Sequence, residues 1–114
     1  MKVLVITTKG EYEEREIKDK LETLQEIVGG LIQYVDISQD GLQMIVNEEG
    51  KILDLEYNLG ATLLYNTTHL YNDMILGNAI IVNTNDEGEN KSITKEDIDT
   101  VKELIVRELY KGGE

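Results

Sequence analysis

The stretch that decides the fold is Lys20-Leu-Glu-Thr-Leu-Gln-Glu-Ile-Val-Gly-Gly-Leu-Ile-Gln-Tyr-Val-Asp-Ile37. Leu21, Leu24, Ile27 and Val28 recur at helical spacing and give one apolar face, with Glu22, Gln25 and Glu26 on the wet side. Gly29 or Gly30 supplies the left-handed residue that ends such a helix, because no Cβ opposes it. Residues 31–37 are rich in β-branched and aromatic types and read as an interior strand. Asp19 stands where an N-cap is expected.

Outward from this unit, residues 2–8 form a near-continuous apolar run, the pattern of a strand covered on both faces. Residues 11–18 read as a charged edge strand, since Glu11, Glu13, Glu14, Arg15 and Glu16 discourage pairing with another chain. After a turn at 38–41, residues 42–46 and 51–55 predict a hairpin joined by Asn47-Glu48-Glu49-Gly50. Asn58 predicts the cap of a short helix with Leu59, Leu63 and Leu64 inward, weakened by Gly60 and Thr62. Residues 66–73 read as a polar loop and 74–82 as a strand with a bulge at Gly77-Asn78. Thr94 and Asp97 form a capping box, Ile93 staples onto Ile98, and Ile98, Val101, Ile105 and Leu109 make the inner face of a last helix that frays over 111–114. The expectation is one α+β domain over residues 1–114, a mostly antiparallel sheet of five to six short strands with two main helices packed on one face.

Composition excludes several classes of function. The chain has 114 residues and no Cys, so disulfides, thiolate metal sites and cysteine nucleophiles are ruled out. Its 23 acidic against 11 basic residues give a formal net charge of −12, which repels nucleic-acid phosphate and anionic membranes. The opening apolar run is too short for a secretory signal or a membrane span, and a cytoplasmic protein is expected. The acidic run 11–16 lacks the Gly-containing turn of a cation loop, so no metal and no cofactor are expected.

The residues that bear chemistry are few. His69 is the only histidine and has Asp73 alone nearby as an orienting acid, while Ser38 and Ser92 lack a nucleophile-elbow setting. Gly29-Gly30 follows a helix instead of opening one, so it offers carbonyls where a phosphate needs N–H groups. The turn residues Asn47, Glu48 and Glu49, together with Tyr57, Asn58, His69, Asn72 and Asp73, are the candidate binding residues. Amides can meet ribose or base edges and tyrosines can stack.

Leu24-Gln25-Glu26-Ile27-Val28-Gly29-Gly30, Asn47-Glu48-Glu49-Gly50-Lys51, Asp73-Met-Ile-Leu-Gly77 before an apolar strand, and Ser92-Ile-Thr-Lys-Glu-Asp-Ile98 resemble, in this order, a family of small domains of unknown function. These domains are encoded widely in bacterial phages, prophages and other mobile elements. The chain departs from the resemblance at Glu56-Tyr57-Asn58, where members often carry proline, and around 66–71. The resemblance implies a mobile-element setting and supplies no catalytic residues. Taken with the charge, it leads to an expected non-catalytic accessory protein, counter-defence in role, whose acidic surface docks on and blocks a host protein with a basic surface. One alternative is a homo-oligomer that sequesters a small nucleotide-like immune signal, and another is a small hydrolase. Exposed Ile and Tyr on so small a core favour a homodimer.

Overall fold

Val3, Leu4, Val5 and Ile6 are at most 1% exposed, so successive side chains pointing to opposite faces of one strand are all covered. In a computed structural model describing residues 1–38 and 40–112, they lie in β1 (Lys2–Ile6). The chain continues through β2 (Tyr12–Glu16), α1 (Leu21–Val28), β3 (Ile32–Asp36), β4 (Leu42–Asn47), α2 (Leu59–Thr68), β5 (Ala79–Thr84), β6 (Asn90–Lys91) and α3 (Lys95–Gly112). The strands form one sheet in the order β2-β1-β5-β4-β3, with β6 paired to the end of β5. Every pairing is antiparallel, and the fold is α+β as expected. Among the described residues no helix is long and apolar enough to cross a membrane.

The three helices divide between the faces. Leu4, Ile6, Met44 and Ile81 pack with Ala61 and Leu64 of α2 and Ile98, Val101 and Ile105 of α3. Val3, Val5, Ile45, Ile80 and Val82 pack with Leu24 and Val28 of α1 on the other side. The sequence reading put both main helices on one face. The central strands are apolar on both faces, so one layer of helices would leave half of that surface in water.

Local chemistry accounts for where the elements end and where expectation fails. Gly29 closes α1 at φ +86, its N–H bonding the Gln25 carbonyl at 2.8 Å. Lys20, not Asp19, occupies the N-cap position without a side-chain cap, because the Asp19 carboxylate accepts from Asn90 Nδ2 at 2.8 Å. Leu21, the first residue of α1, and Leu109, in the last turn of α3, are more than half exposed. β3 is an edge strand, not an interior one, pairing only with β4.

Asn58 caps α2 as expected, and the helix runs on through Thr68, where a loop was expected from Asn66. Leu64 is buried, but Leu59 in the first turn faces solvent. A Cβ on Gly60 would stand 2.9 Å from Ile6 Cγ2 and 2.4 Å from Tyr12 Oη, so this glycine lets the helix approach β1 closely. The expected strand from 74 begins only at Ala79, because Gly77 turns the chain at φ +89. Residues 51–55 form no strand. In α3 the capping box is present, Asp97 N–H donating to Thr94 Oγ1 and Thr94 N–H to Asp97 Oδ2. Gln39, within the expected turn at 38–41, and the last two residues of the expected frayed end lie outside the described residues.

Asn58 is fully buried, its Nδ2 donating to the Ile6 and Gly77 carbonyls and its Oδ1 accepting from Ala61 N–H. Asn58→Ala removes the cap and strands both carbonyls, which should cost roughly 2–4 kcal/mol in denaturant unfolding. A loss below about 0.5 kcal/mol would contradict this role.

Candidate functional site

The segment expected to form the second hairpin strand instead folds into the turn that builds a cleft. Asn47 ends β4 at 6% exposure, and its Nδ2 donates to the Val28 carbonyl at 3.1 Å. Its Oδ1 accepts from Glu49 N–H at 2.7 Å, an Asx-type bond that bends the chain away from the sheet. Glu48 N–H still reaches the Leu31 carbonyl at 2.8 Å, and then Leu53 and Leu55 N–H close back onto the Glu49 and Gly50 carbonyls. Asp54 completes the turn in the left-handed region at φ +53, which aspartate tolerates better than most residues.

Residues 73–76 run beside this turn. A Cβ on Gly50 would come within 3.0 Å of the Leu76 carbonyl oxygen, so the two segments touch along their backbones. Lys51 Nζ is paired with Asp73 Oδ1, and Asp73 also accepts from Met74 N–H at 2.8 Å. The hydrogen bond from Lys51, followed by that from Met74 N–H, holds the Asp73 carboxyl below the usual aspartate range. Between the segments lies an open cleft of about 290 Å³, lined by Glu48, Glu49, Ile52, Asp73 and Met74 with Gln33 from β3. Ile52 is 81% exposed and Met74 about half exposed, so the cleft joins bare apolar side chains to carboxylates.

Charge is distributed unevenly. From Asp36 to Glu89 ten acidic residues stand against Lys51 alone, whereas the rest of the chain has thirteen acidic and ten basic residues. With Lys51 held by Asp73, the surface around the turn carries Glu48, Glu49, Asp54 and Glu56 with no other cation from that part of the sequence.

Of the candidate binding residues, Asn47, Glu48, Glu49 and Asp73 come together at this cleft. Asn47 and Asn58 are buried and committed to main-chain partners, which leaves neither amide for a ligand. Tyr57 is exposed, pairing with Leu76 through an isolated bridge, and Asn72 is exposed outside the cleft. His69 lies apart in a shallow depression with Asp36 and Gln43. Its ring stacks on Tyr65 at 4.0 Å, and its Nδ1 faces the Thr68 hydroxyl and the Tyr65 carbonyl. The Asp73 carboxylate does not reach it, accepting instead from Lys51 Nζ and Met74 N–H, so the expected acid–histidine pair is not formed. Among the described residues no three His, Asp or Glu side chains are grouped to hold a metal ion. Sequence reasoning missed Ile52 and Met74 as cleft residues because it placed both in strands. The signal present was the alternation of acids with Ile52, Leu53 and Leu55 directly after a turn.

A family model described as "Domain of unknown function (DUF3846)" matches residues 1–106. No curated protein and no solved structure matches the chain.

The Lys51–Asp73 pair gives a titration test. Because the folded-state pKa of Asp73 is depressed, its contribution to stability is present above the ordinary aspartate range and is lost as pH falls through the folded value. Carboxyl NMR should find the Asp73 midpoint below about 3.9 and moved upward in Lys51→Met. An unchanged midpoint in the variant would contradict the pairing.

Proposed function

The chain belongs to the family of this domain of unknown function, and from that premise we propose a non-catalytic accessory protein of a phage or mobile element that works by binding. The cleft at residues 46–52 and 73–76 is its docking face, and a cytoplasmic host protein with a basic surface is its target. The single observation behind this reading is the pairing of Ile52 and Met74 with Glu48, Glu49 and Asp73 on one exposed face. Apolar anchors supply affinity when a partner excludes water from them. Surrounding carboxylates choose a cationic partner and speed its approach. Blocking such a surface on a nucleic-acid-processing or defence enzyme gives a counter-defence effect without chemistry, and the negative field of the chain imitates the phosphate such a surface normally meets.

The test is capture of host proteins on the immobilised chain, followed by binding measurements on each identified partner. Partners should present basic surfaces, bind more weakly as salt rises, and lose on the order of tenfold in affinity with Glu48→Gln/Glu49→Gln. Ile52→Asp should weaken binding by a comparable or larger factor. Partners bound equally well by both variants would overturn the proposal. So would a small molecule found by mass spectrometry in the purified protein and lost with Glu48→Gln/Glu49→Gln, which would favour sequestration of a nucleotide-like signal.

A further inference from the structure

The sheet has two lateral edges, and they are built differently. Along β2 the bonds to β1 run through odd-numbered residues, as shown by Thr7 N–H donating to the Glu11 carbonyl and Ile17 N–H to the Met1 carbonyl. The outward N–H and C=O groups of that edge therefore belong to Tyr12, Glu14 and Glu16. A second copy pairing there about Glu14 would set two glutamates face to face, which is destabilising. The sequence thus guards this edge with charge.

β3 carries no such guard. Ile37 N–H donates to the Leu42 carbonyl and Glu48 N–H to the Leu31 carbonyl, so residues 31, 33, 35 and 37 bond inward to β4. Ile32, Tyr34 and Asp36 turn their main-chain groups outward, and among the described residues none of these groups has a hydrogen-bond partner. The strand is Ile-Gln-Tyr-Val-Asp, rich in strand-forming residues, without proline or lysine and with one acid at its end. Leu31 and Tyr34 beside it are 50% and 42% exposed.

We propose that β3 pairs antiparallel with β3 of a second copy about a two-fold axis at Tyr34, joining two sheets into one. Register decides the occupant. With Tyr34 opposite Tyr34, Ile32 faces Asp36 of the other copy and Gln33 faces Val35, so no like charges are opposed and the outward main-chain groups pair with one another. The Tyr34 hydroxyl donates to Asn90 Oδ1 of its own copy at 2.9 Å, so the pairing rests on the main chain and not on contact between the rings. This dimer adjoins the acidic docking face at Gln33 but responds oppositely to salt. Two copies that each carry a net charge of −12 repel, so screening strengthens their association, whereas it weakens binding to a basic target.

Sedimentation of the full chain over a range of concentration should show a monomer–dimer equilibrium that shifts toward dimer as salt is raised. Tyr34→Pro removes an outward N–H without touching the bonds to β4, and Tyr34→Lys places like charges opposite one another. Each should raise the dimer dissociation constant on the order of tenfold or more while circular dichroism reports an unchanged fold. Should both variants fail to fold, cross-linking decides. Opposed residues in such a pair stand about 5.5 Å apart between Cα atoms, within disulfide reach. In this cysteine-free chain, Tyr34→Cys should therefore oxidise to a covalent dimer and Glu14→Cys should not. A monomer at all concentrations, a dimer indifferent to Tyr34→Pro and Tyr34→Lys, or cross-linking through Glu14→Cys in place of Tyr34→Cys would overturn the proposal.

Discussion

Burial of the central strands on both faces is the constraint from which the rest of the structure follows. Ile80, Ile81 and Val82 of β5 are all 0% exposed, and β5 lies between β1 and β4, which are apolar in the same way. Each fully buried side chain of this size contributes about 1.5–3 kcal/mol relative to exposure, so neither face can be left open. Covering both requires helices from two parts of the chain. α1 closes one face as the chain passes from the β2 edge to the β3 edge, and α2 and α3 close the other.

That arrangement also creates the cleft. With α1 ending at Gly29 over the start of β3, the Val28 carbonyl lies where the Asn47 amide can reach it. Asn47 thereby ties the end of β4 to the end of α1 and turns residues 48–55 outward. Bonds from Leu53, Asp54 and Leu55 N–H to the Glu49, Lys51 and Gly50 carbonyls close the turn and leave Ile52 and Leu53 uncovered. Exposed apolar side chains in such a concentration of carboxylates are the feature on which the proposed docking role rests.

Much of the fold was legible because it rests on local rules. The glycine stop after Val28, the Asn58 cap and the Thr94–Asp97 box each satisfy free helix-end groups by chemistry within a few residues. What was not legible depended on distant partners. Residues 51–55 carry a plausible strand pattern, but Asn47 is spent on a carbonyl nineteen positions earlier, and β4 already has β3 and β5 on its two sides. β3 looks interior by composition and lies at an edge, since propensity does not encode strand order. In the candidate site, Glu48, Glu49 and Asp73 were readable as polar residues flanking apolar runs. The pairing of Asp73 with Lys51 and the exposure of Ile52 follow only from the tertiary path of the turn.

The central claim is that one face, and not the overall negative charge, selects the partner. Backbone amide NMR during titration with a basic amphipathic peptide of alternating Lys and Leu addresses it directly. The account predicts shifts concentrated at residues 48–54 and 73–76 and at Gln33, reduced by salt and absent in Ile52→Asp. Shifts spread over the acidic residues of β2 and α3 as strongly as over the cleft, or unaffected by Ile52→Asp, would contradict it.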